Sequence, residues 1–152
     1  MDFEKPSFMT HALDAAGAAL NRDEVPVGAV IVHHPTDRIV ARAGNMTNSR
    51  NDPTSHAEIL AIRQAGLAVG SSRLSECDMY VTLEPCTMCA GAISHARIRR
   101  LYYGASDPKG GAVESGVRFF QQPTCHHAPE VYPGIDEERA AELLRRFFQK
   151  KR

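Results

Sequence analysis

The spacing of apolar and polar residues divides the chain into alternating helices and strands. Residues 7–20 are rich in helix formers and begin with Ser7, which predicts a helix capped by that serine. Residues 27–34 form a short apolar, β-branched run that is typical of a buried strand. A Pro-containing turn then leads into a second predicted strand at residues 38–45.

The remainder of the chain continues the alternation. A helix is expected to open after Pro53, with Thr54 or Ser55 as its cap, and to end near Gly66. The later elements are a strand at 78–83, a helix at 86–96, a strand at 99–105, a short helix at 114–120, a short strand near Val131 and an amphipathic helix at 136–151. This order predicts an α/β sandwich around a central sheet, in a single domain over residues 1–152.

Composition fits this prediction. The chain has 152 residues, of which 43% are apolar and 24% are charged, as in ordinary globular domains. No apolar run approaches the roughly 20 residues that cross a bilayer, and the acidic, polar N-terminus does not resemble a secretory signal. We therefore expect a cytoplasmic protein with no membrane segment, in which cysteine pairs bind metal or carry out redox chemistry more often than they form bridges.

The charge is unevenly distributed although the net charge is zero. Residues 1–89 carry seven Lys/Arg and eleven Asp/Glu, a balance of −4, and residues 90–152 carry a balance of +4. The cations gather at Arg97, Arg99 and Arg100 and at the C-terminal end of the last predicted helix. Such clusters can present one face to phosphates, but cations are also favoured at the end of a helix by its dipole.

Cys86 and Cys89 lie three positions apart at the predicted start of a helix. The free N–H groups and the positive dipole at that end favour thiolates, so the pair forms half of a zinc site. The best third ligand is His56, also at the start of a helix, and two helix starts at one sheet edge can face a single ion. Glu58, two residues later, is placed to reach a metal-bound water instead of the metal, as a general base would.

Two other interpretations of the cysteines stay open. The pair could be a redox centre, although the residues expected around such a pair are missing. Alternatively, Cys125 and His126 or His127 could complete a closed structural zinc site with Cys86 and Cys89, which would leave Glu58 without a role.

The pairing of His56-Ala57-Glu58 with Pro85-Cys86-x-x-Cys89 resembles the zinc-dependent nucleoside and nucleobase deaminases, whose general signature has this form. Further segments, among them DEVPVGAV, YVTLEPCTMCAGA and YYGASDPKGGA, are similar to the bacterial tRNA-specific adenosine deaminase family between Asp23 and Ala112. The resemblance implies a cytidine deaminase-like fold, a three-layer α/β/α sandwich with a mixed five-stranded sheet, assembled as a homodimer.

The resemblance also implies an activity and a set of site residues. The activity is zinc-dependent conversion of adenosine to inosine at the wobble position of a tRNA anticodon, usually of an arginine tRNA, with one Zn²⁺ per subunit. His56, Cys86 and Cys89 would bind zinc and Glu58 would transfer protons. The anticodon stem-loop would be contacted by Asn45 at the purine or ribose, Asp107 at the target nucleotide, and Lys151 and Arg152 at phosphates.

The sequence departs from the family in two places. Ser55 replaces a common alanine, and residues 114–132 do not match, so contacts there are unassigned.

Two other functions remain to be separated from tRNA deamination: deamination of a free base such as guanine or cytosine, and a zinc-stabilised binding module without catalysis. Binding of RNA should weaken steeply with salt whereas binding of a neutral base should not, and Glu58→Gln should leave a mere binding module intact.

Overall fold

A computed structural model describes residues 7–151, which form four α-helices around one sheet. The α-helices are α1 (Phe8–Asn21), α2 (Ala57–Val69), α3 (Thr87–Ala96) and α4 (Glu137–Lys150). The strands are β1 (Gly28–His33), β2 (Arg38–Gly44), β3 (Cys77–Leu83), β4 (Arg100–Ala105) and β5 (Glu130–Tyr132). Short 3₁₀ turns occupy His34–Thr36 and Phe119–Gln121.

The sheet is mixed, in the order β2-β1-β3-β4-β5. Strand β1 runs antiparallel to β2 and β3, whereas β3, β4 and β5 are mutually parallel. Because β3 and β4 are parallel, their C-terminal ends lie side by side at the same end of the sheet. From there the chain continues into α3 and into the loop after Ala105. The predicted mixed five-stranded α/β fold is confirmed.

Two apolar clusters, one on each face of the sheet, create the three layers. On one face, Ala29 and Ile31 of β1 share a cluster with Leu60 of α2 and Ile93 of α3. On the other face, Val30 packs with residues of α1 and α4. Strand β1 is therefore buried on both sides, which explains its unbroken apolar run.

Close approach of α1 to β1 depends on glycine. A Cβ atom built on Gly28 would lie 2.0 Å from the carbonyl oxygen of Ala12 and 2.5 Å from the backbone nitrogen of Ala16. Any side chain at this position would therefore push the helix off the strand. Within α1 itself, Gly17 has no atom within 4 Å of such a Cβ.

Several predicted boundaries were correct and others were wrong. Ser7 caps α1 as expected, because its hydroxyl accepts a hydrogen bond from the Met9 N–H at 3.2 Å. Helix α2 instead begins at Ala57 and continues to Val69, where Gly70 ends it in the left-handed conformation with φ of 70°. The helix predicted at 114–120 is wrong: this segment contains a turn followed by one 3₁₀ turn.

The expected capping of α2 by Thr54 or Ser55 is also wrong. Both hydroxyls donate instead to the Asp52 carboxylate, at 2.7 and 2.8 Å. The cap comes from a distant residue, since Oδ1 of Asn45 accepts a hydrogen bond from the Ala57 N–H at 2.8 Å. None of the described helices is both long and apolar enough to span a bilayer.

Candidate metal centre

Three predicted ligands converge at the start of two helices. His56 is the N-cap residue of α2, Cys86 is the N-cap residue of α3, and Cys89 lies in the first turn of α3. Nδ1 of His56 is 3.5 Å from Sγ of Cys89 and 3.7 Å from Sγ of Cys86. All the potential ligand atoms of these three side chains lie within 4.8 Å of one another.

The spacing and chemistry of this cluster fit zinc. With Zn–S of about 2.3 Å and Zn–N of about 2.0 Å, a tetrahedral site separates sulfur from nitrogen by about 3.5 Å and sulfur from sulfur by about 3.8 Å. The observed distances from His56 to the sulfurs agree with the first of these values. Two thiolates and a neutral imidazole also balance the charge of a divalent ion, so the group can be half-buried at little electrostatic cost.

Protonation in the cluster is strongly coupled. A hydrogen bond from Cys89, helped by His56, lowers the pKa of the Cys86 thiol to about 4 against the opposing effect of burial. The pKa of Cys89 is correspondingly raised, by its hydrogen bond to Cys86 and then by burial. The pKa of His56 is raised chiefly by its hydrogen bond to Cys86. Negative charge is thus concentrated on Cys86, whereas Cys89 would lose its proton when an ion binds, since a metal takes the thiolate form of both cysteines.

Glu58 lies beside this cluster but outside the ligand group. It occupies the first turn of α2, its side chain is buried with 4% exposure, and burial raises the pKa of its carboxyl. Its carboxyl also interacts with the Cys89 thiol. Among the described residues, the metal-ligating group consists of His56, Cys86 and Cys89 without Glu58. A buried carboxyl of raised pKa next to a metal site is suited to take up and release protons during a reaction.

Asn45 lies at the same edge of the sheet as the cluster. Its carboxamide oxygen binds the Ala57 N–H, next to His56, and its side chain is 8% exposed. The backbone nitrogen of Asn45 donates to Val27, and Arg22 donates to its carbonyl at 3.3 Å. This predicted substrate residue is therefore brought to the site, with its carboxamide oxygen already engaged.

Asp107 lies in the loop that follows β4. Its Oδ1 accepts a hydrogen bond from the Gly110 N–H at 3.0 Å, which folds the loop back on itself. The same loop reaches the start of α3, the metal helix, which carries Cys89. The contact is a hydrogen bond of 2.9 Å from the Ala112 N–H to the carbonyl of Pro85. The structure therefore places the Asp107 loop against the residue that precedes Cys86.

The C-terminal cations are farther along the chain, after α4. Nζ of Lys151 is 2.9 Å from Oδ2 of Asp23 and lies 5.5 Å from the centre of the Phe147 ring. Arg152, also predicted to contact phosphate, lies outside the described residues. Within α4, Arg145 pairs with Glu142 at 2.7 Å, so this part of the basic cluster is balanced by acids on the same helix.

The alternative closed zinc site is wrong for the described part of the chain. Cys125 is 3.6 Å from the Ser94 hydroxyl and donates to the carbonyl of His127 at 3.1 Å. Nε2 of His127 in turn donates to the carbonyl of Ile98 at 2.7 Å. These contacts attach the loop to the end of α3 and do not bring it to Cys86 and Cys89.

Sequence reasoning missed two buried carboxylates that organise the loops around the site. Glu24 accepts hydrogen bonds from Thr47, Asn48 and Ser49, at distances from 2.6 to 3.4 Å. Glu84 does the same for residues 107–115. Burial opposes ionisation of each, but the hydrogen bonds outweigh it and the pKa of both is lowered. The sequence does mark both residues in one way. Glu24 in DEVPVGAV and Glu84 in YVTLEPC are each an acidic residue within an apolar, proline-containing segment.

Comparison with known proteins agrees with the geometry. The family model for the cytidine and deoxycytidylate deaminase zinc-binding region matches residues 4–105. The tRNA-specific adenosine deaminase of Agrobacterium fabrum is 64% identical over 149 residues, which are 98% of this chain and 97% of that protein. A solved structure from a study of A-to-I editing by transfer-RNA deaminases at the wobble position has a TM-score of 0.87 and 65% identity, and the match covers 90% of this chain and 98% of that one.

A free-base deaminase is also similar, at a greater distance. The guanine deaminase of Bacillus subtilis is 32% identical with a TM-score of 0.64, over 99% of this chain and 94% of that one. Fold, cluster and family model together define the class as that of the zinc-binding deaminases. Within that class, the chain belongs to the tRNA-specific adenosine deaminase family.

Proposed function

We propose that this protein hydrolyses adenosine to inosine at the wobble position of a tRNA anticodon, with an arginine tRNA as the first substrate to test. The observation that carries the proposal is the buried Glu58 beside the His56–Cys86–Cys89 cluster, in a chain 64% identical to a tRNA-specific adenosine deaminase. We further propose one zinc ion per subunit, a single deaminase domain over residues 1–152, and action in the cytoplasm, where tRNA is used.

His56, Cys86 and Cys89 would hold the ion through one nitrogen and two sulfurs. When bound, zinc supplies Lewis-acid activation, which lowers the pKa of a water molecule to about 7. Glu58 would accept the proton of the attacking water and deliver it to the ring nitrogen next to the amine-bearing carbon. The water oxygen adds to that carbon, Glu58 passes the second proton to the amine, and ammonia leaves, so that the oxygen becomes the carbonyl of inosine.

Substrate contacts would come from both sides of the cluster. Since Oδ1 of Asn45 binds the Ala57 N–H, its amide N–H₂ is the group proposed to donate to the purine or ribose. Asp107 would contact the target nucleotide from the loop after β4, and Lys151 would exchange Asp23 for a phosphate. Arg152 keeps the same proposed role on the basis of the resemblance alone. A single-stranded anticodon loop suits this site, because its bases unstack at little cost.

We propose that two copies associate through the exposed face of α2 and α3. Leu67 on α2 is 88% exposed and Met88 on α3 is 38% exposed, and contiguous exposed apolar surface is a mark of interaction sites. Leu67 borders a groove with Ile62 and Leu74, and a neighbouring groove reaches Ile59 and Ala92. This face is formed by the helices that carry the ligands, with Met88 next to Cys89 at one end and Leu67, about three turns from His56, at the other. A second copy that covers Met88 would therefore lie near the metal centre.

The decisive experiment is incubation of the zinc-loaded protein with anticodon stem-loops that carry adenosine at the wobble position. Inosine, detected by mass spectrometry after digestion to nucleosides, is the expected product, and a stem-loop with guanosine at that position is the control. Absence of turnover on several such RNAs, with zinc content verified, would contradict the proposal.

Deamination of a free base is the second candidate, because the guanine deaminase of Bacillus subtilis shares this fold at 32% identity. The two candidates differ in their response to salt. Occupation of the site by RNA should weaken by orders of magnitude between about 50 and 200 mM salt, whereas that by neutral guanine should hardly change. Release of ammonia from guanine, without inosine in RNA, would favour the second candidate.

A further inference from the structure

We propose that Glu84 is a positioning residue for the substrate: its buried carboxylate holds the loop that carries Asp107 against the start of the metal helix. The inference rests on the proposed function, because it concerns how the same site holds its RNA. Glu84 itself is not among the potential metal ligands of the described residues and is almost completely buried, at 2% exposure.

The Glu84 carboxylate is surrounded by donors from one loop. Its Oε1 accepts from the Asp107 N–H at 2.9 Å and from the Ser115 hydroxyl at 3.0 Å. Its Oε2 accepts from the N–H groups of Val113, Glu114 and Ser115, at 3.1, 2.9 and 2.9 Å. The loop has therefore wrapped its backbone donors around an anion, as successive N–H groups do in anion-binding turns.

Close packing makes this arrangement specific. A Cβ atom added to Gly111 would lie 2.5 Å from Cδ of Glu84 and 2.6 Å from the carbonyl oxygen of Asp107. The loop can thus reach the carboxylate only with glycine at this position. A substitution of Gly111 offers a way to displace the loop from the opposite side without altering Glu84.

The Asp107 loop is connected in this way to the metal centre. Glu84 is followed by Pro85 and Cys86, and the carbonyl of Pro85 accepts from the Ala112 N–H at 2.9 Å. The turn that begins the metal helix and the loop that carries Asp107 therefore share two adjacent anchor residues. Movement of the loop would displace Asp107 relative to the metal while leaving the three ligands on their own helices.

Glu84→Gln is the informative substitution. A glutamine has one acceptor oxygen and one donor group, and it satisfies most partners by turning its oxygen toward the three N–H groups at Oε2. Its N–H₂ group then faces the Asp107 N–H, two donors with no acceptor between them. The Ser115 hydroxyl can rotate to accept, so the tether to Asp107 is the bond that is lost.

The test compares Glu84→Gln, Gly111→Ala, Asp107→Ala and the double variant Glu84→Gln/Asp107→Ala with the unaltered protein. Zinc content is verified, and KM and kcat are measured on the anticodon stem-loop. We expect Glu84→Gln and Gly111→Ala to raise KM about tenfold with kcat changed less than threefold. The double variant should resemble Asp107→Ala alone, because Glu84 acts through that loop. Amide hydrogen exchange should rise in residues 106–115 and not in α3.

Glu24→Gln is the matched control, since Glu24 is also buried and, within residues 7–151, its carboxylate accepts hydrogen bonds from residues 47–49. In Glu24→Gln, amide hydrogen exchange should rise in residues 47–49 alone. Any effect of this substitution on KM should add to that of Asp107→Ala. Additive effects of Glu84→Gln and Asp107→Ala, a loss of kcat or zinc with KM unchanged, or unaltered exchange at 106–115 would overturn the positioning role. If the unaltered protein makes no inosine, the proposed function itself fails; if it is active and Glu84→Gln matches it, only this inference fails.

Discussion

Four side chains at the metal centre divide two kinds of chemistry between them. His56, Cys86 and Cys89 present a nitrogen and two sulfurs to one point, whereas Glu58 is buried beside them with a raised pKa. Ligand and proton carrier are thus different residues, although His56 and Glu58 are only two positions apart in the chain. Their roles can be separated by substitution.

Glu58→Gln should abolish turnover while retaining the fold and the metal, because the amide fills the same space but cannot carry the proton. The expected loss is about 10²–10⁴-fold in kcat, as for removal of a general acid–base group. The measurements are inosine formation and zinc content by atomic absorption. His56→Ala, which removes a ligand, is the contrasting variant and should lose the metal as well. Full activity of Glu58→Gln would contradict the assignment.

Asn45 combines a structural contact with a proposed substrate contact, and two substitutions distinguish them. Asn45→Ala leaves the Ala57 N–H without its acceptor and should reduce the free energy of unfolding by about 1 kcal/mol. Asn45→Asp keeps the acceptor and should preserve stability in urea denaturation. Both variants should lose activity, since neither retains the amide N–H₂. Normal activity of Asn45→Asp would show that this group does not contact the substrate.

At the scale of elements, the sequence predicted what local pattern determines and failed where distant residues decide. The apolar run of β1 and the amphipathic α4 follow from periodicity and were predicted correctly. The cap of α2 was wrong because Asn45, 12 residues earlier, supplies it, while Asp52 binds the hydroxyls of Thr54 and Ser55. No local pattern reveals which of several polar side chains a helix start will meet.

The candidate site shows the same division. His56, Cys86 and Cys89 were predictable because zinc chemistry restricts residue type and spacing, and the structure brings them together. Glu24 and Glu84 were missed because their partners are mostly backbone N–H groups, which every residue possesses. Recognising such carboxylates requires the path of the loop that surrounds them.

The packing of α1 on β1 gives a prediction for an element pair. Gly28→Ala should destabilise the protein by about 3 kcal/mol, because its methyl group would overlap the helix backbone of Ala12 and Ala16. Gly17→Ala, in α1, is the control, because no atom lies within 4 Å of a Cβ built there. This substitution should stabilise the protein by about 0.5–1 kcal/mol. Thermal unfolding measures both. Equal effects of the two substitutions would contradict the close approach.

At the scale of the whole molecule, residues 7–151 leave an apolar surface of α2 and α3 exposed. Helices α1 and α4 together cover one side of the sheet, where Ala140 of α4 shares an apolar cluster with residues of α1. On the opposite side, α2 and α3 cover the sheet but expose Leu67 outward. Association of two copies through this face would bury the Leu67 side chain.

Leu67→Glu should convert the proposed dimer to monomer, because it would place two carboxylates in an apolar interface at a cost in desolvation free energy. Light scattering after size-exclusion chromatography measures the mass. Phe148→Glu is the control, since Phe148 is also exposed, at 55%, but lies on α4; it should leave the mass unchanged. A dimer that persists in Leu67→Glu would place the interface elsewhere.

The cluster draws its donors from the starts of two helices, whose N-cap residues His56 and Cys86 are 30 positions apart. An ion held by both would act as a cross-link between α2 and α3, and its free energy of binding would add to that of folding. At a free ion concentration of 1,000 times Kd, this linkage contributes about 4 kcal/mol. The lifetime of the folded enzyme would then depend on the zinc supply of the cell, and starvation for the metal would deplete the protein as well as silence it.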